Sequence, residues 1–199
     1  MRLWLLYLRS RFAFPALAGL LVIAGFGWAV GNRWGSQSDL FLIATVTVPL
    51  AAAVVICVTI DSPFGEVERS LSRPLVSMRF SQLAGLLIIA AVALAITATA
   101  WPGDNVEWRF VRNLLGLTGV GLLFVRVLGG RLSWASPLGF ATLALFQNGA
   151  AAGTAPGWAW VVQPAPREAA AVIALVLLVS GLGLAARFGA RVADGSDEH

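Results

Sequence analysis

Apolar residues run along this chain in long unbroken blocks, and charge is confined to the gaps between them. Uncharged stretches lie between Arg11 and Arg33, Asp39 and Asp61, Arg79 and Asp104, Arg112 and Arg126, Arg131 and Arg167, and Glu168 and Arg187. A helix needs about 20 apolar residues to cross roughly 30 Å of hydrocarbon, so the first three blocks each predict one span. The fourth is short, but Arg112 and Arg126 at its ends can snorkel outward and extend it. The fifth is too long for one helix and holds Pro156, Gly157, Pro164 and Pro166, which predicts a span followed by a broken loop. The pattern predicts an all-α integral membrane protein forming a single transmembrane domain. Its six spans fall at 13–31, 40–60, 81–101, 110–128, 136–154 and 169–187, with a polar tail at 188–199.

The ends of these blocks carry further detail. Residues 1–11 predict an interfacial helix lying in the headgroup layer, with Arg2 and Arg9 on one face and Leu3, Trp4, Leu6 and Leu8 toward lipid. The other reading is an inward extension of the first span. Pro15 stands near the start of that span, where a missing N–H costs least. Trp28, Trp34, Trp101, Trp108, Trp134, Trp158 and Trp160 fall near span ends, where amphipathic indole rings settle as anchors. Residues 153–168, GTAPGWAWVVQPAPRE, are apolar enough to dip back into the membrane surface, yet their prolines forbid one continuous helix. They predict a broken, re-entrant element on the outer side between helices 5 and 6. Such backbone must be shielded by protein or line an aqueous cavity.

Composition agrees with the pattern. Of 199 residues, 58% are hydrophobic and 12% charged, where a soluble domain carries about 25% charged. Mean hydropathy is +0.82. The net charge of +4 comes entirely from arginine. Because these arginines sit at block ends, they read as topology determinants and not as a nucleic-acid footprint. With the N-terminus inside, Arg2, Arg9, Arg11, Arg69, Arg73, Arg79, Arg126, Arg131, Arg187 and Arg191 lie on the cytoplasmic side, against Arg33, Arg109, Arg112 and Arg167 outside. Both termini are therefore expected in the cytoplasm. Cys57, the single cysteine, excludes a disulfide framework within the chain and reads as a small buried hydrophobe.

Candidate chemistry is sparse. The single histidine is His199, and Asp39, Asp61, Asp104, Glu107 and Glu168 fall at span ends. A proton relay would want carboxylates inside the bundle. Without lysine there is no Walker-type phosphate loop, so the chain is expected neither to hydrolyse ATP by that route nor to be an enzyme. No metal site is expected. Polar residues within spans are Thr45, Thr47, Thr59, Thr97, Thr99, Asn113, Thr118, Gln147 and Asn148. Amides in hydrocarbon need partners, so Asn113, Gln147 and Asn148 are candidates for lining a substrate path or for interhelical hydrogen bonds. Gly116, Gly119, Gly121, Ala91 and Ala95 allow close helix approach.

The segment Asp61–Phe80, DSPFGEVERSLSRPLVSMRF, is the one charged elbow set between two long spans. Ser62 and Pro63 read as an N-cap and first-turn proline, and Glu66 and Glu68 sit near the positive end of the helix that follows. Val67 and Leu71 share a face, and Glu66 reaches Arg69. Arg73 precedes Pro74, where helix is disfavoured. A helix of about two turns is marginal in water alone, which implies a partner holding it. The alternative is a solvated charged loop obeying the positive-inside rule.

At these residues the chain resembles the membrane subunits of type-2 ATP-binding-cassette exporters. Their loop between spans two and three carries glutamates, an arginine, a proline and a basic residue, the order of Glu66, Glu68, Arg69, Pro74 and Arg79 here. Gly65 precedes the glutamates, whereas in the family a glycine usually follows them. The resemblance implies a short cytoplasmic coupling helix in which Glu66, Val67, Glu68, Arg69, Leu71, Pro74 and Arg79 dock on a separate ATPase subunit. ATP and Mg would reside on that partner, with no cofactor on this chain. It also implies a second permease copy or similar chain, a bacterial-type inner membrane, and export of an amphipathic or hydrophobic substrate by alternating access. Two alternatives stay open: a six-helix substrate-capture subunit of a vitamin or metal uptake system, or an accessory membrane subunit. The first span, PALAGLLVIAGFGWAV, lacks the AxxxA spacing typical of capture subunits.

Overall fold

The computed structural model describes residues 13–60, 75–130, 132–150, 157–164 and 168–188. Within them lie six α-helices, α1 (Ala13–Trp34), α2 (Ser38–Val58), α3 (Leu75–Ala98), α4 (Val106–Leu128), α5 (Ala135–Ala150) and α6 (Glu168–Phe188). A 3-10 turn, Trp160–Val162, stands between α5 and α6, and the described residues contain no strand. The expected interfacial helix at 1–11 and the elbow at 61–74 lie outside the described residues. So does the tail beyond Phe188, which itself closes α6.

Five helices, all except α5, are long and apolar enough to cross a membrane. The chain thus has the make-up of a helical, multi-pass membrane protein. The expectation was six spans. The described part of α5 has 16 residues, about 24 Å at 1.5 Å per residue, which is short of the hydrocarbon thickness.

Helix α4 is the hub. It packs against α6, α2, α3 and α5, while α1 packs against α2 and α3. In α4's apolar window 67% of residues are buried inside the bundle, against 28% in those of α1 and α6. Its start at Val106 precedes the expected 110, because Asn105 adopts a left-handed conformation (φ 56°) and launches the helix ahead of the charged turn. Glu107 in that turn suits the positive helix end. At the other end Gly129 (φ 77°) takes a conformation open to glycine and closes α4.

The seams are made by small residues. A Cβ added at Gly119 would lie 2.5 Å from the backbone of Leu177 and Leu178, and one at Gly181 would lie 2.7 Å from the Gly119 carbonyl. Backbone therefore meets backbone between α4 and α6. On α1, Gly27 and Gly31 leave room for Thr97 and Trp101. The Trp101 indole N–H donates to the Gly27 carbonyl (3.2 Å), and the Thr97 hydroxyl is shared between the Ala24 carbonyl across the seam (3.1 Å) and the Ala93 carbonyl of its own helix (2.9 Å). Thr45, Thr47, Thr59, Thr99 and Thr142 instead return their hydroxyls to carbonyls of their own helices, a common way to carry a hydroxyl through an apolar helix.

Two tryptophans depart from the anchor reading. Trp101 is buried against Phe41 and Phe110, and Trp160 is buried beneath Phe140. Both rings fill the interior because glycines opposite them vacate the space. Trp28, Trp34, Trp108, Trp134 and Trp158 are exposed.

Candidate functional site: a buried polar cluster on helix α4

Arg109, Arg112 and Asn113 are spaced three and four apart, so they share one face of α4. That face looks toward α2 and toward the chain segment that joins α5 to α6. Asn113 is fully buried. Its amide N–H groups donate to the Thr45 carbonyl on α2 and the Val161 carbonyl in the 3-10 turn, each at 2.8 Å. Its Oδ1 accepts from Arg112 Nε at 3.3 Å. Arg112 Nη2 donates to the Gln163 carbonyl at 2.8 Å.

The bond to Thr45 has a specific cause. Pro49 lies inside α2, and a proline has no N–H to give the carbonyl four residues before it. That carbonyl belongs to Thr45. Asn113 supplies from a neighbouring helix the donor that Pro49 removes, which is how helix-breaking prolines are tolerated in apolar surroundings. The same amide satisfies Val161, whose carbonyl belongs to irregular backbone. One side chain thus answers two backbone deficits.

The turn reaches well inside the bundle. Asn113 lies seven residues beyond Val106, about 10 Å along the helix, and Gly116 about 15 Å. A Cβ on Gly116 would run into the Trp160 ring, so the indole lies directly on the glycine. Phe140 of α5 stacks on Trp160 (5.7 Å between centroids) and meets Trp158 edge-on (6.1 Å). Ala159, Trp160, Val161, Val162 and Gln163 are all buried.

The arginines complete the picture. Arg112 is 1% exposed, and its Nη1 is buried with no hydrogen-bond partner. It does not snorkel outward as the sequence suggested, because its guanidinium is drawn inward by the Gln163 carbonyl and the Asn113 amide. Arg109 is half-buried, lies 5.1 Å above the Phe41 ring, and leaves its buried Nε without a partner. The described carboxylates Asp39, Asp104, Glu107 and Glu168 are exposed, and among the described residues none pairs with either arginine. Chemically the cluster offers hydrogen-bond donors and positive charge. Among the described residues no three His, Cys, Asp or Glu side chains gather as a metal site.

Of the substrate-path and coupling candidates chosen from sequence, Asn113 alone enters this cluster. Gln147 is exposed on α5, away from the interior, and the side chain of Asn148 lies outside the described residues. Glu66, Val67, Glu68, Arg69, Leu71 and Pro74 lie outside them as well, as does the side chain of Arg79. Arg112, Thr45, Pro49, Val161 and Gln163 were missed as site residues. The available signal was Pro49, whose orphaned carbonyl at Thr45 demands a donor from another helix. No protein-family model, no curated protein and no solved structure matches the chain.

Proposed function

We propose that this chain is the permease subunit of an ATP-driven exporter, working as a pair with itself or a similar chain beside a separate ATPase subunit. The observation that supports this reading most is the segment 157–164, folded back between α5 and α6 and held deep in the bundle by Arg112 and Asn113. That element order, six helices with an inserted turn before the last, is the one the resemblance to type-2 exporters implies. The turn is a re-entrant element in this reading, and both termini face the cytoplasm.

Asn113 spends both donors and its acceptor on structural bonds, so it frames the bundle and does not line a path within it. The substrate route then runs between two copies, where the exposed face of α5 with Leu143, Phe146 and Gln147 is available. Residues 61–80 transmit closure of the ATPase pair to α2 and α3, with Glu66, Glu68 and Arg69 making charged contacts and Val67 and Leu71 seating the helix.

The test is co-purification of the full chain with the ATP-binding subunit encoded beside it. E66K/E68K is expected to reduce recovery of the ATPase and to abolish substrate-stimulated hydrolysis. Undiminished recovery and full hydrolysis, or no neighbouring ATPase gene at all, would remove the coupling assignment.

A further inference from the structure

Arg112 and Arg109 present two guanidinium groups on one helix face, and each keeps a buried N–H group without an acceptor, Nη1 and Nε respectively. Among the described residues, backbone carbonyls and a ring face supply dipoles to these cations but no opposite charge. A buried cation lacking a counter-charge is strongly unfavourable. A water would fill the hydrogen bonds and leave the charge as it is.

We propose that Arg109 and Arg112 bind an oxyanion, a phosphate or carboxylate group, at the end of the bundle where α4 begins. Paired guanidinium forks match the planar spread of oxyanion oxygens, and intramembrane arginines facing a bundle interior mark ligand or ion sites more often than packing. The half-exposed Arg109 is the outer contact, and the nearly sealed Arg112 is the inner one. Entry is therefore past Arg109, between the first turn of α4 and Phe41 on α2. Two sources share this chemistry, the headgroup of an anionic lipid and a free oxyanion. The site belongs to this chain alone and stands whether or not the chain transports anything.

The experiment uses the full-length chain in phosphatidylcholine nanodiscs and follows thermal unfolding. One arm replaces a minority of the lipid with phosphatidylglycerol and adds native mass spectrometry for retained lipid. The other adds millimolar inorganic phosphate against chloride of equal ionic strength. Stabilisation in the first arm alone assigns a lipid headgroup, and stabilisation in the second assigns a soluble anion. In either case R109Q, which leaves the bonds of Arg112 to the turn in place, is expected to weaken binding about tenfold through loss of one charge-assisted contact, read as a smaller stabilisation at the same ligand level. No stabilisation in either arm overturns the proposal, and so does equal stabilisation of R109Q and the wild type.

Discussion

The two halves of α4 hold the molecule together by opposite means. In the first half Arg112 and Asn113 reach out and hydrogen-bond to carbonyls of α2 and of the inserted turn. From the middle of the helix onward side chains withdraw: Gly116 receives the Trp160 ring, Gly119 meets the α6 backbone, and Gly121 faces Cys57. The first half tolerates distance, because a long side chain spans a gap, but it demands chemistry. The second tolerates almost any chemistry in its neighbours but demands proximity. Size and polarity changes should therefore fall unequally on the two halves.

The largest effect is expected from G119L. Its Cβ meets backbone atoms that cannot rotate away, so α6 must part from α4, at a cost of about 3 kcal/mol or more. Size-exclusion profiles and unfolding in mixed micelles should show a destabilised or aggregated protein. Next is N113L, similar in size but without donors. It strands the Thr45 and Val161 carbonyls, each worth about 1–3 kcal/mol when buried and unpaired. A second change isolates the cause. P49A restores an N–H opposite Thr45, so P49A/N113L should recover about 1 kcal/mol relative to N113L, while P49A alone gains little, since that carbonyl already has a partner. Equal losses in both backgrounds would show that the amide does not stand in for the proline's donor.

A smaller cost, about 1–3 kcal/mol, is expected for G116A, where the Trp160 ring must shift. Because the clash is with a side chain, W160L should erase most of it, giving a coupling energy that a double-mutant cycle reads directly. No such rescue exists for Gly119, which separates contact with a ring from contact with backbone. The smallest effect belongs to Q147L on the exposed face of α5. The folding stability of the single chain should change by less than about 0.5 kcal/mol. A larger loss would place Gln147 in an interior contact.

Much of the helical layout was legible because apolar blocks and charged gaps directly express the cost of taking charge into hydrocarbon. The rule failed where a charge had an interior partner. Arg112 was read as the end of a span because an arginine flanked by apolar residues is ordinarily a border. Here the border is several residues earlier, and the arginine's acceptor is a carbonyl 51 positions away in sequence. Trp101 and Trp160 were misread for a related reason. Their rings are buried because Gly31 and Gly116 on other helices leave cavities of matching size, information that no single segment contains. The glycines of α4 were recognised as sites of close approach, since the absence of a side chain is itself local. Asn113 was noticed as an expensive amide, but its role needed Pro49 to be read as an orphaned carbonyl on the next helix over.

Position 49 and position 113 also constrain the order in which this sequence can change. With threonine's carbonyl dependent on a borrowed donor, losing the asparagine first leaves a lineage with a defective α2, whereas replacing the proline first is nearly silent. Drift at 113 costs less in descendants that have already given up the imino acid, though the Val161 carbonyl still asks for its donor, and the proline itself could settle only where an amide was waiting. An alignment of relatives should show that asymmetry: asparagine without proline in some, proline without a donor opposite it in none.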